Sequence, residues 1–69
     1  MNINEETAGE ARAKIFCSII MRDGIIKRGI LTQRMHISPQ TFVREFKDWL
    51  ELYPNIKYSR LTREFVYEP

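Results

Sequence analysis

At 69 residues the chain has room for a single domain, because a chain this short buries only about 60% of its unfolded surface and cannot divide that core in two. Hydrophobic residues make up 43% and charged residues 29%, with four Phe, three Tyr and one Trp, which excludes the apolar-poor composition of disordered chains. The formal net charge of +2 is mild, and the single cysteine, Cys17, excludes an intramolecular disulfide and suits a reducing, cytoplasmic setting.

Neither Cys17 nor His36 has companions at metal-ligand spacing, so no metal or other cofactor is expected. The longest apolar run, residues 15–21, is interrupted by Ser18 and falls far short of the ~20 residues a membrane span requires. The first ten residues carry Glu5, Glu6 and Glu10 without a basic residue, so no secretory signal is expected. Positive charge gathers later, in Arg22, Lys27, Arg28, Arg34, Arg44 and Lys47 against Asp23 and Glu45, then in Lys57, Arg60 and Arg63 against Glu64.

The breakers Gly24, Gly29, Pro39 and Pro54 divide the chain into four pieces. Over about 6–22 the apolar positions Ala8, Ala11, Ile15 and Ile19, with Phe16 and Ile20, have helical spacing, and Thr7 followed by Glu10 reads as a capping box. Asp23-Gly24 ends this first helix. A short second helix is expected over about 28–36, burying Leu31 and Met35, with Gly29 weakening its first turn by up to ~1 kcal/mol.

Ser38-Pro39 reads as a helix start, the serine capping and the proline standing where its missing N–H is harmless. The third helix, about 39–53, gathers Phe42, Phe46, Trp49, Leu50 and Tyr53 on one stripe, read as core. Gln40, Arg44, Lys47 and Glu51 fall on the opposite face, with Arg44 and Asp48 at ion-pair spacing. Pro54 stops this helix, and 56–67 is rich in β-branched and aromatic residues, which predicts a two-strand hairpin. Its link, roughly 60–63, has no Gly or Asn, so a longer tip than a two-residue turn is expected.

The expected fold class is therefore mostly α with a small β-hairpin (α+β), three helices followed by a wing. The run from Leu31 to Trp49, LTQRMHISPQTFVREFKDW, resembles the helix-turn-helix of DeoR-like and related small winged bacterial or phage regulators. Ile37, Ser38, Thr41, Arg44 and Lys47 fit that pattern directly, and Phe42, Glu45, Phe46 and Trp49 fit it by type. His36 departs from it, standing where the turn usually has Gly. A positive φ is then demanded of a residue that tolerates it better than β-branched ones do.

The resemblance implies a three-helix winged helix-turn-helix domain that binds double-stranded DNA, with helix three as the recognition helix and the hairpin as wing. A major groove ~12 Å wide admits one α-helix, whose N-terminal residues meet the base edges. By side-chain type, Arg44 suits guanine, Gln40 adenine, and Thr41 or Val43 a thymine methyl. Ser38, Lys47, Lys27, Arg28 and Arg34 are the expected phosphate contacts, and Arg60 and Arg63 the wing contacts; the last two equally suit solubilising residues on an exposed edge.

No carboxylate pair or His-nucleophile combination marks a catalytic centre, and no small-molecule ligand is evident, so an enzyme is not expected. The expected role is a sequence-specific transcriptional regulator or repressor acting by operator occupancy. A module covering only ~600–1,000 Å² suggests two copies on a palindrome or a cooperative oligomer on neighbouring sites, with a dimer meeting through helix one or the segment around Ile3. The alternatives are a small protein-interaction module or inhibitor on a winged scaffold, which Glu45, Asp48 and Glu51 favour, and a plasmid or phage replication or partition protein.

Overall fold

A computed structural model describes residues 7–69 of the chain. The capping box forms at the start: Thr7 Oγ1 accepts from the Glu10 amide at 3.1 Å, and the Thr7 amide donates to Glu10 Oε1 at 3.2 Å. Helix α1 then spans Ala8–Asp23, so the expected start near residue 6 falls outside the described residues. The α1 cap is Gly24 at φ 79°, a left-handed backbone that glycine adopts without a Cβ penalty, and its amide donates to Ile20 O.

The turn at Gly24 delivers a strand that sequence reasoning passed over. Strand β1, Ile25–Lys27, leads directly into α2, Arg28–Met35. His36 closes α2 at φ 56°, ψ 42°, the left-handed conformation expected of it, and its amide donates to Gln33 O at 3.1 Å. Ser38 caps α3, Pro39–Leu52, by accepting from the Thr41 amide at 3.1 Å, with Pro39 as first helical residue.

Beyond Pro54 come β2, Ile56–Ser59, and β3, Glu64–Tyr67, joined by a four-residue turn at 60–63. Strand β3 lies in the middle of an antiparallel sheet of order β1-β3-β2. Its register places Phe65 opposite both Ile26 and Tyr58. The expected two-strand hairpin is thus corrected to a three-stranded sheet, whose third strand gives β3 a partner on each edge. The three helices take up 60% of the described residues, and the order α1-β1-α2-α3-β2-β3 is a winged helix-turn-helix layout, mostly α with a small sheet.

The core is aromatic where the three layers meet. Phe16 of α1 touches Trp49 of α3 and Phe65 of β3, with ring centroids 5.0 and 5.3 Å apart; Phe42 adds edge contacts to Trp49 and Phe65. Ala13, Ile19, Ile20, Ile26, Leu31, Met35, Phe46 and Ile56 complete it. On α3 the expected stripe is buried at Phe42, Phe46 and Trp49, while Leu50 and Tyr53 pack against its edge.

On α1 the buried face is Ala13, Phe16, Ile19 and Ile20, whereas Ile15, which shares the helical spacing, is 46% exposed. Apolar residues surround α1 on most sides, so spacing alone selects no single stripe there. Cys17 is half-buried, 3.5 Å from the Met21 sulfur, and burial pushes its thiol pKa up.

Candidate nucleic-acid interface

Helix α3 is pinned on one side by its aromatic stripe, which fixes what the other side presents. Gln40, Val43, Arg44 and Lys47, at i, i+3, i+4 and i+7, are all exposed, with Val43 half exposed. No side chain of these four makes a hydrogen bond or ion pair among the described residues, and the expected Arg44–Asp48 pair is not formed. The four therefore form one unspent polar and apolar strip that runs from the N-terminal half of α3 to Lys47 just past its middle. Farther along, Asp48 and Glu51 are exposed and carry the opposite sign.

Glu45 does not belong to that strip. It turns toward α1, where Arg12 Nε donates to Oε1 at 2.9 Å and Nη2 to Oε2 at 2.6 Å. The hydrogen bond from Arg12 holds the Glu45 carboxyl below its ordinary range, against the opposing effect of burial, with smaller help from the charges of Arg12 and Arg44; the Arg12 pKa rises in return. Glu45, one of the three acidic residues that favour a protein-interaction module, is thus engaged with α1.

Ser38 and Thr41 are engaged with each other. Besides its capping bond, the Ser38 hydroxyl donates to Thr41 Oγ1 at 2.9 Å, and Thr41 is half-buried. Of the two residues suited to a thymine methyl, Val43 is the exposed one.

The remaining cations separate into two groups. Arg34 pairs with Asp23 at the end of α1 and does not line the α2–wing cleft. Lys27, Arg28, Ile30, Thr62 and Arg63 instead line one open cleft between the start of α2 and the wing turn, which the bond from the Arg28 amide to Arg63 O draws together at 2.9 Å. Arg28 is half spent inside the fold: its guanidinium lies over the stacked rings of Phe42 and Phe46, 5.6 and 5.4 Å from their centroids, and Nη1 donates to Tyr58 Oη at 3.4 Å. It couples α2, α3 and β2 rather than standing as a free cation.

Arg60 and Arg63 are both exposed on the wing turn. Arg63 adopts φ 59°, and its amide donates to Ser59 O at 2.8 Å, closing the turn without the glycine its backbone favours. Sequence reasoning missed the residue between these arginines, Leu61, which the turn leaves almost wholly exposed. An apolar side chain in a turn otherwise made of Arg and Thr was the available signal.

Among the described residues no cluster of three His, Cys, Asp or Glu is gathered that would hold a metal, and no helix is long and apolar enough to cross a membrane. Comparison of the chain with protein-family models, curated proteins and solved structures finds no match.

Proposed function

We propose that this chain binds double-stranded DNA, laying the N-terminal half of α3 in the major groove and setting the wing turn against the flanking backbone or minor groove. The observation that carries the reading is the exposed strip Gln40, Val43, Arg44 and Lys47, which is committed to no partner within the fold. Such side chains match base edges and a phosphate by type: an arginine fork for guanine, an amide for adenine, an apolar group for a thymine methyl, and a lysine for the backbone. Asp48 and Glu51 repel phosphates, so they favour an approach by the N-terminal half of the helix. Lys27, Arg60 and Arg63 supply further cations on the wing side, and Arg28 chiefly holds α3 and the wing in place.

In this reading the chain is a cytoplasmic transcriptional regulator of the winged type that DeoR-like proteins exemplify, acting by occupying its operator. One module covers only ~600–1,000 Å² of DNA, so two copies on a palindrome supply the specificity. The segment around Ile3, one expected route to a dimer, lies outside the described residues. A replication or partition role would use the same contacts.

A salt titration of binding to a labelled random duplex, followed by fluorescence anisotropy, tests the reading. Binding should weaken steeply as salt rises, with a slope of about −0.9 for each phosphate neutralised. The protein-interaction reading draws on exposed Asp48, Glu51 and Leu52, which follow one another along the C-terminal half of α3. It takes the lead if no duplex binding is detected near physiological salt.

A further inference from the structure

Leu61 is 95% exposed, more than any other large hydrophobic side chain described. Its backbone is nonetheless held. The Arg63 amide donates to Ser59 O at 2.8 Å, the Thr62 amide to Ser59 Oγ at 3.3 Å, and the Arg28 amide to Arg63 O at 2.9 Å, so the turn is tied both to β2 and to the start of α2. Exposed Arg60 and Arg63 stand on either side of it, and Lys27 lines the cleft beside the turn.

Folding gains nothing from this leucine, which buries no area, and turn chemistry favours Asn, Asp, Gly or Ser at such a place. Its surroundings specify the partner that would cover it. Flanking arginines select a polyanion, and among polyanions with an apolar interior duplex DNA, whose stacked base pairs lie between two phosphate rails, is the one that the exposed α3 strip also suits. Minor-groove binders push Leu, Ile, Phe, Met or Pro between base steps, partly unstacking them and kinking the duplex.

We propose that Leu61 is such a wedge. Arg60 and Arg63 straddle the minor groove beside the major-groove site of α3, and the leucine enters between two adjacent base pairs. This rests on the DNA-binding reading above and adds a source of specificity to it: pyrimidine–purine steps unstack most easily, so the wing selects TA or CA/TG without a hydrogen bond to any base.

Two probes test it, a duplex rich in TA steps with 2-aminopurine replacing adenine at those steps, and an A-tract duplex of equal length. The fluorescence of 2-aminopurine rises when its base unstacks, and anisotropy reports binding separately. Wild-type protein should bind both duplexes and brighten the first. Leu61→Ala should abolish the brightening and weaken binding to the TA duplex by about tenfold, while leaving the A-tract duplex bound as before. Leu61→Lys, which adds a cation, should bind at least as tightly as Leu61→Ala and still give no brightening. The exposure of Leu61 keeps both variants folded, which circular dichroism verifies. If the wild type binds without brightening, or if brightening persists in Leu61→Ala, the wedge is overturned while DNA binding stands. If the wild type binds neither duplex, the DNA reading fails first. Leu61-dependent binding to phosphatidylserine vesicles without brightening on DNA would assign the side chain to a membrane surface and overturn the wedge.

Discussion

Arg12 and Glu45, 33 residues apart in sequence, form a two-pronged ion pair that joins α1 to α3, at 2.9 Å from Nε and 2.6 Å from Nη2. Their side chains are 28% and 17% exposed, so the pair is partly sheltered from water. Its effect is directional as well as energetic. A parallel pair of charge-assisted bonds fixes the rotation of α3 about its axis, and with it the direction in which Gln40, Val43, Arg44 and Lys47 point.

The pair predicts a pH dependence. The Glu45 carboxyl lies below its ordinary value of 4.5 in the folded protein, so its contribution is complete above that value and is lost as pH falls through the depressed folded value. Glu45→Gln should therefore lower the melting temperature near neutral pH, and the gap to wild type should close in acid. Thermal unfolding followed by circular dichroism across that range checks this. A gap that is constant with pH would assign the loss to packing instead.

Trp49 is 2% exposed and touches both Phe16 and Phe42. Trp49→Ala should cost ~3–5 kcal/mol, much of the ~5–15 kcal/mol that holds a domain together. Urea unfolding measures it. A midpoint unchanged from wild type would mean the aromatic cluster is not the core.

Two helix ends adopt left-handed backbone with different residues, and they predict opposite outcomes. At His36, φ 56°, glycine removes the Cβ strain, so His36→Gly should stabilise by up to ~1 kcal/mol. At Gly24, φ 79°, a Cβ meets nothing within 4 Å, so Gly24→Ala should cost ~1–2 kcal/mol through the backbone alone. Chemical denaturation of both variants checks the pair, and equal signs would count against the cap geometry.

Much of this was legible in the sequence because it is local. The Thr7–Glu10 box, the Ser38-Pro39 start, the α3 stripe and the left-handed His36 each depend on residues within a turn or two. Strand β1 was not legible, since three residues are too few to show alternation and their partners, Glu64 to Val66, lie nearly forty positions away. The same distance hid the site's details. A helical wheel puts Glu45 close to the basic face, and only the fold shows Arg12 drawing it toward α1. Arg28 reads as a free cation until Phe42, Phe46 and Tyr58 assemble around it.

Arg28 accordingly predicts a structural phenotype. Arg28→Ala removes the cation over two rings and the bond to Tyr58, and should destabilise by ~1–2 kcal/mol, more than an exposed phosphate contact would. Arg34→Ala, which removes only the largely exposed pair to Asp23, should cost less than ~1 kcal/mol. Thermal melts of the two variants rank them, and the reverse order would show that the ring contact contributes little.

Arg44 and Arg63 separate reading from gripping. Arg44 stands in the strip on the N-terminal half of α3 with no ion pair to hold it back, whereas Arg63 sits on the wing turn beside the Lys27 cleft. A guanidinium forked onto guanine discriminates among bases, so Arg44→Ala should cost ~1–3 kcal/mol on a selected binding site and relax the preference at one position. A guanidinium on phosphate carries no sequence information, so Arg63→Ala should weaken all duplexes about equally and reduce the salt slope by about one unit. Both side chains are exposed, so neither change should disturb the fold, and circular dichroism provides the control. Selection of binding sites from random duplexes, followed by anisotropy on selected and scrambled sequences, measures the two effects. If Arg44→Ala leaves affinity and preference unchanged on both, α3 does not read the bases. Asp48, Glu51 and Leu52 on the same helix would then mark it as a surface for a protein partner.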